Sequence, residues 1–133
     1  MNSKSLEAKR HFINGKTIIG IDPAKLKHQA TIIDSIGVPI GSTFKFSNNF
    51  FGFHTELFKN LNLRLQDFSP QNIVFAVEAS INLWQKLCFF LNSKGYSVIT
   101  VSPLYTHHER PKINNNFSRS DPKDALAVAN CAR

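Results

Sequence analysis

Apolar positions change their period several times along this chain, and each change marks an element. Thr17-Ile18-Ile19-Gly20-Ile21 is a continuous, largely β-branched run closed by Asp22, the pattern of a strand covered on both faces. A turn-like Pro23-Ala24-Lys25-Leu26-Lys27 follows, then a second predicted strand over His28 to Asp34. Ser35-Ile36-Gly37 turns the chain into a third, Val38 to Phe46, completing an antiparallel meander. The period then becomes helical. Asn48 or Asn49 can cap a helix running to Asn60 or beyond, with Phe50, Phe53, Leu57 and Leu61 on one stripe. Ile73 to Val77 is a short all-apolar run closed by Glu78, too brief for a helix and suited to the centre of a sheet.

Ser80 is a candidate cap for a second helix, in which Ile81, Trp84, Leu87, Cys88 and Leu91 share a face and Gly95 is the stop. Tyr96 to Val101 reads as the next strand. Beyond Ser102-Pro103, Leu104 to Arg110 suggests a short helical turn, and Lys112 to Arg119, without period and with three consecutive Asn, suggests a mobile loop. Ser120 or Asp121 then caps a final helix carrying Ala125, Leu126, Val128 and Ala129. No internal repeat is visible. Residues 1–15, polar and aperiodic, read as a flexible leader before one domain over 16–133.

The order βββαβαβα gives an α/β domain with a five-stranded mixed sheet flanked by helices. Crossovers are right-handed, which sets the strand ending in Glu78 parallel to and beside the strand ending in Asp22. This is a ribonuclease-H-like arrangement, and it makes the two carboxylates neighbours.

Charge narrows the partner. Lys and Arg total 16 against 9 acids in 133 residues, a net +7, which favours a polyanion such as DNA or RNA. Cys88 and Cys131 have no metal-ligand spacing and suggest a reducing cytoplasm. The amino-terminal residues lack an apolar signal core, and no apolar stretch reaches the ~20 residues needed to cross a bilayer.

Asp121 and Asp124, three apart on the last helix, project within about one turn of each other and can face the ends of the two strands. Four carboxylates in one low-dielectric place repel unless a cation joins them, so Asp22, Glu78, Asp121 and Asp124 predict a divalent-metal site. A pair of Mg²⁺ ions, with Mn²⁺ as a substitute, suits phosphodiester chemistry there. Singly, Asp121 before Pro122 is an ordinary helix cap and Asp22 before Pro23 an ordinary turn; Glu78 is the acid least easily explained that way. Lys25, Lys27, Arg119 and Lys123 flank the acids and are candidate phosphate contacts, against the plainer role of solvated surface charge. His28, His54, His107 and His108 do not form a metal set. Ser80 lacks a general base and reads as a cap.

Gly20-Ile21-Asp22-Pro23-Ala24-Lys25, Asn49-Phe50-Phe51-Gly52-Phe53, Val77-Glu78-Ala79-Ser80 with Trp84 and Gly95-Tyr96, Val101-Ser102-Pro103 and Ser120-Asp121-Pro122-Lys123-Asp124-Ala125 form an ordered set. Over roughly residues 17–130 the chain resembles the amino-terminal domain of DEDD-type insertion-sequence transposases, the bridge-RNA-guided recombinases that include the Piv-type DNA invertases. The resemblance implies a RuvC-like catalytic domain whose four Mg²⁺-binding acids correspond to Asp22, Glu78, Asp121 and Asp124. It further implies a carboxy-terminal domain bearing a serine nucleophile, absent from these 133 residues, and a structured guide RNA that selects DNA. Expected partners are therefore DNA, a guide RNA and, in a full-length protein, further copies of the chain. Two other classes compete: a nucleic-acid-binding fragment without catalysis, and an actin-like phosphotransferase. The latter is disfavoured by only 6 Gly, none clustered into a phosphate loop.

Overall fold

The apolar run that begins the pattern forms β1, Thr17–Asp22, with Ile18 to Ile21 buried. The computed structural model describes residues 15–80, 82–102 and 123–132, of which 123, 124, 127, 131 and 132 by backbone alone. β2 is Lys27–Ile33, β3 Phe44–Ser47, β4 Ile73–Glu78 and β5 Ser97–Val101. Helical winding begins at Phe50, passes through a π-helical segment Gly52–Leu57, and continues as α1, Phe58–Arg64. A 3₁₀ turn, Pro70–Asn72, leads into β4; α2 is Gln85–Ser93 and α3 Lys123–Ala132.

The described strands form one sheet in the order β3-β2-β1-β4-β5. β1 pairs antiparallel with β2 and β2 with β3, whereas β1–β4 and β4–β5 are parallel. The antiparallel meander and the parallel pairs β1–β4 and β4–β5 thus give the mixed sheet that the pattern predicts. Alternation along the strands divides the core. Ile19, Ile21, Phe75 and Val77 pack with Phe53, Leu57, Leu61, Leu87 and Leu91 on one face; Ile18, Val74, Ala76 and Val101 pack with Val128 and Ala129 on the other. All six residues of β4 are buried, as its unbroken apolar run requires of a central strand.

Three local expectations are corrected. The third strand does not start at Val38. Asp34 Oδ1 accepts the N–H groups of Ile36 (3.0 Å) and Val38 (2.8 Å), and Pro39 has no N–H, so residues 38–43 contribute only an isolated bridge between Ile33 and Pro39. Ser80 does not cap α2, which begins five residues later. Asn82 is left-handed (φ 49°), which no helix spanning it would allow, and the Ser80 N–H donates instead to Glu78 O at 3.0 Å. Phe50, placed on the apolar stripe, is 68% exposed, because the packed stripe begins at Phe53. The stop at Gly95 is as expected: with φ 87°, its N–H reaches Asn92 O and the Tyr96 N–H reaches Leu91 O, both at 3.0 Å. The helical turn over 104–110, the loop over 112–119, the cap at Ser120 or Asp121 and residues 1–14 of the leader lie outside the described residues.

Candidate functional site

The end of β1 and the end of β4 lie side by side. Ile21 stands opposite Val77 in the parallel register, so the next step aligns Asp22 with Glu78 on strands about 4.8 Å apart. Alternation places both on the face of Ile18, Gly20, Val74 and Ala76, the face that α3 covers. Glu78 is 6% exposed and Asp22 half-buried.

Gly20 brings α3 to this place. A Cβ at position 20 would lie 2.5 Å from Ala125 O and 2.6 Å from Ala129 Cβ, so the helix backbone rests directly on β1, two residues before Asp22. Position 124 immediately precedes Ala125 in the first turn of α3. The fold therefore gathers positions 22, 78 and 124 on one face; Asp121 lies outside the described residues. Among the described side chains, which do not include Asp121 and Asp124, no trio of His, Cys, Asp or Glu forms a metal cluster. Lys25 and Lys27 are exposed just after Asp22. Lys123 opens α3, and Arg119 lies outside the described residues.

His28, which the sequence excludes only as a metal ligand, has a structural role its pattern does not show. It is fully buried, its Nδ1 accepts the Ala24 N–H at 3.0 Å, and its Nε2 lies 2.9 Å from Asn48 Oδ1. A backbone N–H can only donate, so Nδ1 is bare and Nε2–H donates to Asn48. Asn48 in turn donates from its backbone N–H to Leu26 O (2.9 Å) and from Nδ2 to Lys25 O (3.2 Å). These bonds fasten the loop from Asp22 to Lys27. Burial pushes the His28 pKa down to about 4, the Asn48 bond opposing it, and keeps the ring neutral. Among other candidates, His54 is exposed and stacked on Phe50, while His107 and His108 lie outside the described residues. Cys88 is buried and its thiol is pushed up to about 11, which makes it a packing residue rather than a nucleophile.

A family model for IS110-type DEDD transposases matches residues 19–133. The chain belongs to that transposase family. Its fold is RuvC-like: a Thermus thermophilus RuvC in complex with a Holliday junction substrate is 15% identical, with 87% of this chain and 91% of that one covered and a TM-score of 0.57. A second Thermus thermophilus RuvC structure, 13% identical, covers 86% and 91% with a TM-score of 0.54. At such identities the likeness concerns the ribonuclease-H-like fold. No curated protein sequence matches this transposase domain. None of its described helices is long and apolar enough to cross a membrane.

Proposed function

We propose that this transposase domain cleaves DNA strands in a metal-dependent manner during transposition of an insertion sequence, with Asp22, Glu78, Asp121 and Asp124 as its acid set. The observation that carries this reading is the buried Glu78 beside Asp22 at the carboxyl ends of parallel strands, with α3 seated on Gly20 so that position 124 meets the same face. An all-oxygen donor set of this kind fits Mg²⁺ or Mn²⁺. When bound, such ions would polarise the scissile phosphodiester and activate the attacking oxygen.

The chain's own residues supply the rest. Glu78 holds its carboxylate in a low-dielectric wall, where attraction for a cation is strong. Lys25 and Lys27, with Arg119 and Lys123, engage phosphates and fix the strand; the His28–Asn48 bonds hold the Lys25 loop in register with Asp22. In the full transposase this domain works with a serine-bearing carboxy-terminal domain, a guide RNA and further copies of the chain, in the cytoplasm. The test is cleavage of a branched DNA with and without Mg²⁺. Metal-dependent nicking that falls by at least about a hundredfold in Glu78→Gln is expected; metal-independent nicking, or a Glu78→Gln variant as active as wild type, would refute the assignment.

A further inference from the structure

An open groove of about 680 Å³ lies between the start of the first helical segment and α2, and four phenylalanines supply its apolar lining. Phe53 and Phe90, 4% and 7% exposed with ring centroids 5.6 Å apart, form its floor. Phe50 and Phe89 stand on it 68% and 79% exposed, an unusual cost for rings of this size. Phe50 meets Phe90 edge-on at 5.8 Å, which orients its ring. Exposed Lys86 also lines the groove, and none of the lining residues is acidic.

Position gives the groove its meaning. Asn48, at one rim, is the residue that fastens the loop after Asp22. Gln85 and Lys86, at the other, open the helix that follows Glu78. The groove thus opens beside the carboxyl ends of β1 and β4, as the acids do, but on the opposite face of the sheet, in the core layer of Phe53 and Phe90. A strand engaged at the acids would have to cross that edge to reach the groove, which runs along α2 to Ser93. Aromatic platforms beside a cation suit unstacked bases, since every base has a π-face and the backbone carries negative charge. The net +7 of the chain and the acid-free lining complement that charge.

We propose that this groove is a base-stacking subsite for single-stranded DNA flanking the cleavage position, with Phe89 as the stacking face, Phe50, whose ring His54 already covers on one side, as its neighbour, and Lys86 as a phosphate contact. The proposal rests on the DNA-handling function argued above and deepens it. The measurement is anisotropy of a labelled oligothymidylate and of a duplex of the same length, titrated with the 133-residue chain and its variants. Phe89→Ala should weaken single-strand binding by at least about fivefold while leaving the duplex unaffected. Phe89→Trp should retain binding, and Phe51→Ala, exposed but outside the groove, should not change it. If wild type binds both DNAs and Phe89→Ala binds them equally well, the subsite is wrong and the DNA-handling function stands. If wild type binds neither, both fall. A wild-type dimer that Phe89→Ala converts to monomer would make the groove a protomer interface, and tighter Phe89-dependent binding of the matching RNA would overturn the assignment to DNA.

Discussion

At the scale of single residues, His28 carries the clearest pH signature. Its folded pKa near 4 lies below the ordinary value of 6.5, so the unfolded chain binds a proton between those values that the folded chain refuses. Stability from this group is full above pH 6.5 and falls as pH drops towards 4, by on the order of 3 kcal/mol. Denaturant melts across that window should show the loss in wild type, whereas His28→Gln, less stable at pH 7, should be nearly flat there; equal slopes would refute it. The acids make a different prediction. If Asp124 joins Asp22 and Glu78, Asp124→Asn should leave the metal-free melting midpoint unchanged or raise it. It should also shrink the Mn²⁺-induced stabilisation, about 2.7 kcal/mol for wild type at a hundredfold excess over Kd. Asp67 is the control, because its carboxylate accepts from Ser69 N–H at 2.9 Å and Asn72 Nδ2 at 2.7 Å, bonds that hold its pKa low and tie the loop that leads into the 3₁₀ turn. Asp67→Ala should lower the midpoint equally with and without Mn²⁺. An Asp124→Asn variant behaving like Asp67→Ala would remove Asp124 from the proposed metal set. The strand-end acids were readable because each closes an apolar run. His28 was not, since its burial depends on Asn48, twenty residues away across the β2–β3 pair.

Between elements, the contact of α3 with β1 is decided by one missing methyl group. Gly20→Ala would drive a Cβ into Ala125 O and the backbone of Ala129, where neither side can yield as a flexible side chain would. It should cost about 3 kcal/mol, as overpacking does, and lift the helix bearing Asp124 from Asp22 and Glu78. Gly95→Ala makes the contrast. Only Pro70 Cγ, at 3.9 Å, is near its added methyl, and the cost of about 1 kcal/mol comes from φ 87° instead. Thermal melts with and without Mn²⁺ separate the two, since Gly20→Ala alone should reduce the metal-induced shift. Retention of the full shift in Gly20→Ala would mean that the helix does not help form a site. Element existence followed from pattern wherever an apolar run was unbroken, as in β1 and β4, or a helical stripe was sustained, as in α2. It failed where side chains diverted the backbone: Asp34 took the Val38 N–H at the start of the expected third strand, and left-handed Asn82 delayed α2. Neither effect has a period, so neither shows in the hydrophobic pattern.

For the whole molecule, the excess of basic residues sets how binding responds to salt. Each phosphate neutralised by Lys or Arg releases condensed counterions, so the logarithm of affinity should fall linearly with the logarithm of salt concentration, by about 0.9 per contact on duplex DNA. Net charge alone would predict the same loss for any removed cation; a localised interface would not. Lys25 and Lys27 are exposed on the loop and strand start that follow Asp22, whereas Lys59 is exposed on α1, on the opposite side of the sheet from α3. Lys25→Gln with Lys27→Gln should therefore flatten the log–log salt slope by about 2, and Lys59→Gln should leave it unchanged while reducing net charge by the same amount per substitution. Filter binding or anisotropy over a salt series reads the slopes directly. Equal flattening per lysine at all three positions would mean that DNA senses only the overall charge of the domain, and Lys25 and Lys27 would lose their assignment beside the acids.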